Sequence, residues 1–250
     1  MKTNLQITDI IAAIASETES LWISEQLLLE GKALSLAFVK VPRFVSKRQI
    51  TEGPFKNWNL DQVVRLAILT KLDEKQVDLL FETAEMQEAV ALTKSLPYLA
   101  NPSNFLLRAT DAVRSNMGPV FDAIAFDNTY PRDYFSEAAW NQLVLKCIFN
   151  DKAIHQIIGL DERANAELAM TLSDFAHERW SAGRRVPSQV WRLIPRFMNE
   201  TLQSDIEKLV QSENPSDVRA ASLVKQEVQI PGSTQGMWQE LEKAEPIYTA

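Results

Sequence analysis

Glycine is scarce in this chain, at 7 of 250 residues, less than half of the usual share of roughly 7%. Glycine is the residue that most easily adopts positive φ and lets a backbone approach a ligand closely. A chain this poor in it has few tight turns and few phosphate-cradling loops. No Gly-x-Gly occurs, so there is neither a dinucleotide fingerprint nor a P-loop. A single cysteine excludes an internal disulfide and a cysteine-built zinc site. The two histidines, His155 and His177, lie too far apart in sequence to form a His-x-x-x-His pair, and no metal is expected.

What replaces turns is helix. Asn59 precedes LDQVVRLAILTKL, with Gln62 placed three residues on as a capping box requires. Val63, Val64, Ala67, Ile68 and Leu72 then keep a helical stripe. Asp73 and Gln76 repeat the cap before the stripe of Val77, Leu80, Phe81 and Ala84. Asn101-Pro102 and Gly118-Pro119 each open a further helix, proline being well suited to the first helical position. Asp133 or Ser136 caps the stripe of Trp140, Leu143, Val144, Cys147 and Ile148. A helix over 164–181 is closed by Gly183, and Pro187 and Pro195 bracket a short one around Trp191.

The expected fold is all-α, an array of short-to-medium antiparallel helices. A HEAT-like solenoid and an irregular bundle both fit, because no fixed repeat period is found. Residues 33–45 read either as a helix up to Pro42 or as an extended segment. The expected organisation is an N-terminal helical segment over 1–50, a main helical domain over 51–228, and a loosely held tail over 229–250, where Pro231, Gly232 and Gly236 gather.

The formal charge is −7, which argues against nucleic acid as a main partner. No apolar run approaches the ~20 residues of a membrane span. The N-terminal stretch reads as a helix face rather than a signal-peptide core, so a cytoplasmic location is expected.

Polar residues set among apolar ones are the site candidates, since a buried charge is costly unless paired. In PVFDAIAFD the apolar residues cover almost the whole helix circumference, so Asp122 is expected to be buried. Arg179 points toward the apolar face of the 166–180 helix, either snorkelling past its end or partnering an acid such as Asp122. Asp174 lies three residues before His177 and within side-chain reach, an acid/base pair in one reading and a surface pair in the other. Arg114 pairs most simply with Asp111, one helical turn away. Asn116 follows it at the helix end. Asn128 reads as a turn residue, and Asn141 sits at the edge of the Trp140 stripe.

The run from Arg114 to Phe197 resembles the EboA family of metabolite-traffic proteins. The words that carry the resemblance are RSNM at Arg114–Met117, VFDAIA at Val120–Ala125 and DNTYP at Asp127–Pro131. They continue with AWNQLVLK at Ala139–Lys146, GLDERAN at Gly159–Asn165 and DFAHERWSAGR at Asp174–Arg184. A weaker likeness reaches back to Trp58. The resemblance implies a bacterial cytoplasmic accessory protein that helps move a secondary-metabolite precursor toward the periplasm. It implies a small-molecule metabolite, and prenyltransferase-like and TatD-like proteins of the same gene cluster, as partners. It supplies no catalytic residue and calls for no cofactor. The candidate cluster is Arg114, Asn116, Asp122, Asn128, Asn141, Asp174, His177, Arg179 and Arg184. Three roles stay open for it: a binding or adaptor site, an acid/base site of an enzyme acting on the trafficked compound, and a structural network in a scaffold.

Overall fold

The computed structural model describes the backbone of residues 2–244 and the side chains from Ile7 onward. Among the described residues the fold is all-α, with no strand beyond one isolated bridge between Gln49 and Asn59. Contacts divide the chain into two units, one ending at Ile124 and one starting at Ala125.

In the first unit the helices are α1 (Lys2–Ile14), α2 (Glu17–Gln26), α3 (Gly31–Phe44), α4 (Leu60–Leu69), α5 (Glu74–Thr83), α6 (Met86–Ser95) and α7 (Leu106–Arg114). The predicted caps hold at α4 and α5. The Gln62 side chain accepts from the Asn59 amide at 3.1 Å. Asp73 and Gln76 exchange both capping-box bonds, at 2.8 and 3.0 Å. Every residue of α4 is buried, against α1, α3 and α6. The segment before residue 50 thus shares one unit with the helices that follow it.

Residues 33–45 are helical rather than extended, and α3 runs straight through Pro42. Proline cannot donate to the carbonyl four residues back. Here that acceptor is the Phe38 carbonyl, and the guanidinium of Arg65 on α4 donates to it through Nε at 3.3 Å. Arg65 also lies over the Phe38 ring, 5.2 Å from its centroid, and pairs with Asp61 at 3.3 Å. Both charged side chains are almost fully buried. Burial pushes the Asp61 carboxyl up and pulls the Arg65 guanidinium down, while each partner's charge opposes the shift. Arg65 is therefore a plug for an interrupted helix, held in place by its own counter-charge.

α8 (Gly118–Ala125) leads into the second unit, where the helices are α9 (Tyr130–Tyr134), α10 (Glu137–Phe149), α11 (Ala166–Ser181), α12 (Glu200–Val210), α13 (Pro215–Gln229) and α14 (Met237–Ala244). Ser136, not Asp133, caps α10, accepting from the Ala139 amide at 3.3 Å. The segment around Trp191 is a 3-10 turn, Ser188–Leu193, and α13 packs against it, α12 and α14. Its core includes Trp140 and Trp191, both fully buried.

The expected loose tail is corrected over 230–244. Glu227 accepts from the amides of Gly232 and Thr234, at 2.5 and 3.1 Å, and from the Thr234 hydroxyl at 2.6 Å. The indole of Trp238 donates to that hydroxyl at 3.1 Å. Trp238 and Leu241, three apart on α14, are buried. Glycines that suggested a loose chain instead supply the positive φ of a clamped turn, +84° at both Gly232 and Gly236. The part of the tail expectation beyond residue 244 lies outside the described residues.

Candidate functional site

The first unit holds Arg114, Asn116 and Asp122, and the second holds the other candidates. Arg114 is exposed and bonds Asp111 at 3.1 Å. Asn116 is exposed, and Asp122 is half-buried rather than buried. The neighbouring side chains of α8 take the core positions, and of the Asp122 carboxylate Oδ1 is buried.

Three residues of the second unit hold local structure. Asn128 is buried and accepts from the Tyr130 amide at 2.9 Å, setting the turn into α9. Asn141 is buried and exchanges two amide bonds with Asn165, at 2.8 and 3.3 Å. Asn165 is in turn the N-cap of α11, accepting from Leu168 at 2.9 Å. Arg179 is half-buried at the end of α11, where its Nε donates to the Arg185 carbonyl and its guanidinium lies over the Phe175 ring. It closes the helix end, the snorkelling reading, and Gly183 turns the chain there with φ +67°. Arg184 is exposed.

His177 does not use Asp174, which is exposed. Its Nε2 bonds Asp205 Oδ1 on α12 at 2.5 Å. The Ser173 hydroxyl, one turn earlier on α11, donates to Asp205 Oδ2 at 2.6 Å. Asp205 is 3% exposed, whereas the imidazole is about half exposed, at 49%. The Trp180 ring lies 5.7 Å from the His177 ring and 5.7 Å from that of Trp191. The Lys208 ammonium sits 3.9 Å from the Trp180 centroid. This is a carboxylate that seats two partners, with the serine on the far oxygen and not on the imidazole. A nucleophilic serine needs its hydroxyl on the histidine, so this arrangement can hold or move a proton on His177 but does not activate Ser173.

The second unit also contains a cavity of about 350 Å³. One wall comes from residues 157–164, a second from 192–196, and a third from Glu227 and the turn into Trp238. Arg192 crosses one side, bonding both Asp161 oxygens at 2.6 and 2.5 Å. Burial raises the carboxyl of Glu242, while His155 at 2.5 Å and Arg192 oppose the rise. Gly159 lies on the rim with φ +84°, and a Cβ there would meet the Arg132 side chain at 2.6 Å. Sequence reading made none of the charged residues of this cavity a site candidate: Asp161 and Glu162 stand in the GLDERAN word, and Arg192 and Arg196 read as part of a solvated basic face. They come from three segments that together span more than 60 positions, from Asp161 to Glu227, which no spacing rule connects.

The family model of the metabolite traffic protein EboA matches residues 10–195. The chain belongs to the EboA family. The match reaches well before Trp58, where the likeness of motifs ends, and it covers His177 and the first two cavity walls as far as Pro195. Arg196, Glu227 and Trp238 lie beyond it. Comparison with curated proteins and with solved structures finds no match. No helix among the described residues of this EboA-family chain is long and apolar enough to cross a membrane.

Proposed function

We propose that this EboA-family protein is a non-catalytic binding protein of metabolite traffic, and that the cavity of the second unit is where it holds the metabolite. The observation that carries this reading is the cavity itself. Its volume falls at the small end of the ~300–1,000 Å³ typical of ligand pockets, and charged residues line it together with Trp238. The family's description as metabolite traffic proteins agrees with such a role. We place the protein in the cytoplasm, handing a secondary-metabolite precursor to proteins that act toward the periplasm. Prenyltransferase-like and TatD-like proteins are the partners to test.

An acid/base role for His177 is the second reading. Its half-exposed imidazole oriented by a buried carboxylate favours it. Binding ranks first because both hydrogen bonds to Asp205 also tie α11 to α12, which a structural role explains fully.

Native mass spectrometry of the intact chain purified from its own host tests the proposal. The expected result is a non-covalent small-molecule adduct that the Gln235→Trp variant loses. Gln235 lines the cavity yet is exposed, so the larger ring fills space without disturbing the core. A bare chain in both cases would overturn the reading.

A further inference from the structure

The chain carries a net charge of −7, yet the stretch from Gly31 to Arg48 runs the other way. It holds Lys32, Lys40, Arg43, Lys47 and Arg48 and no acidic residue. Two of these charges are used within the first unit. Arg48 pairs with Glu19 at 3.6 Å. The charge of Lys47 works against the rise that burial imposes on the Asp61 carboxyl. Lys32, Lys40 and Arg43 are exposed and form no ion pair with a carboxylate among the described residues. The exposed carboxylates that precede α3, Glu17, Glu25 and Glu30, leave them free.

Large apolar side chains stand among these free charges. α3 buries Leu34, Ala37, Phe38 and Val41 in the core. With about 3.6 residues per turn, Lys32, Leu36, Val39 and Arg43 recur along the opposite side, flanked by Lys40. Leu36 and Val39 are 51% and 44% exposed. At the end of α3 Phe44, itself half exposed, stacks on Trp22 of α2 with the ring centroids 4.8 Å apart. Leu21, beside Trp22 in α2, is 64% exposed. A helix that already has a core face needs no apolar row on its solvent side in order to fold, and such rows mark surfaces that meet something.

The free cations call for an anionic partner, and the leucine, valine and phenylalanine call for one that is apolar just beneath its charge. A bilayer with anionic headgroups meets both demands in one surface. Lys and Arg keep their charged ends at the phosphates while their aliphatic stems lie along the apolar side chains. The outward side of a helix is also convex. A lipid surface adapts to a convex ridge, whereas a protein partner needs a groove cut to it.

We propose that the outward side of α3, together with Phe44 and its Trp22 stack, docks on an anionic lipid surface. The proposal is independent of the cavity in the second unit.

Flotation of the intact chain with vesicles tests it, comparing phosphatidylcholine alone with phosphatidylcholine containing about a third phosphatidylglycerol. The expected result is binding to the anionic vesicles that weakens as salt rises to about 0.5 M. Each basic group near such a surface contributes roughly fivefold, so Lys40→Gln/Arg43→Gln lowers the partition coefficient at least about tenfold. Leu36→Ser/Val39→Ser lowers it too, which adsorption by charge alone would not show. All of these positions are exposed, so both variants melt at the wild-type temperature. No flotation with anionic vesicles would overturn the proposal, and so would flotation that either double variant leaves unchanged. Sedimentation equilibrium covers the protein alternatives. Self-association that Lys40→Gln/Arg43→Gln abolishes, in a chain that ignores vesicles, would place a second copy on this face and overturn the lipid assignment. A complex with an acidic protein, lost in the same variant and without vesicle binding, would overturn it as well.

Discussion

Replacing His177 with alanine separates a site from a strut. Asp205 is buried and has two partners, the Ser173 hydroxyl and the His177 ring. A hydrogen bond to a charged group contributes about 1.5–3 kcal/mol. The imidazole is half exposed, so water can take its place in part, and the lower end applies, about 1.5–2 kcal/mol. At this chain length each kcal/mol lowers the melting temperature by about 2–4 °C. His177→Ala is then expected to melt about 3–8 °C lower than wild type. Asp205→Ala should be worse, because it also leaves the fully buried Ser173 hydroxyl without an acceptor, adding about 1–3 kcal/mol. In the double variant the His177 term is already gone, so urea titrations of all four proteins should give a coupling of about 1.5–2 kcal/mol. A His177→Ala melting point within a degree of wild type, with pathway function lost, would refute this reasoning and move His177 into the acid/base role.

Further outcomes follow from the other buried contacts. Arg65→Met should destabilise by about 3–5 kcal/mol, because Asp61 keeps a buried charge without its counter-ion. Pro42→Ala restores a backbone donor to the Phe38 carbonyl that Arg65 now serves, so in that background chemical denaturation should show Arg65→Met costing about 1–2 kcal/mol less. Gly159→Ala combines a φ of +84° with a Cβ 2.6 Å from Arg132 Cγ, whereas Gly183→Ala meets nothing within 4 Å at φ +67°. Both pay about 1–2 kcal/mol for the left-handed backbone, and thermal melts should show Gly159→Ala as the costlier of the two. Burial works to raise the Glu19 carboxyl, yet hydrogen bonds from Ser16 and Ser46 outweigh it and bring it down to about 2 from 4.5. A lowered carboxylate stabilises above its unfolded value, so this contribution is present above pH 4.5 and fades as pH falls toward 2. Glu19→Gln should flatten that part of an acid titration followed by circular dichroism.

Helix starts were legible because a cap and its partner sit three residues apart, and Asn59 with Gln62 or Asp73 with Gln76 need nothing distant to act. Asp205 was invisible for the opposite reason. It lies 32 residues from Ser173 and 28 from His177, and only the packing of α11 on α12 brings the three together. Asp174 was the wrong partner because helical spacing shows which residues are in reach, not which of them is dry enough to prefer a histidine over water. Arg65 did carry a signal, a charge inside VVRLAI one element after a proline inside a helical pattern. Each oddity alone reads as a defect, and together they are one hydrogen bond. The cavity is the extreme case, since its walls come from residues near 160, 194 and 235 and none is unusual within its own helix or turn. A fold built from local caps can be read locally. A site built where three segments meet is readable only once they have met, and here the third wall also lies past the residues that mark the family.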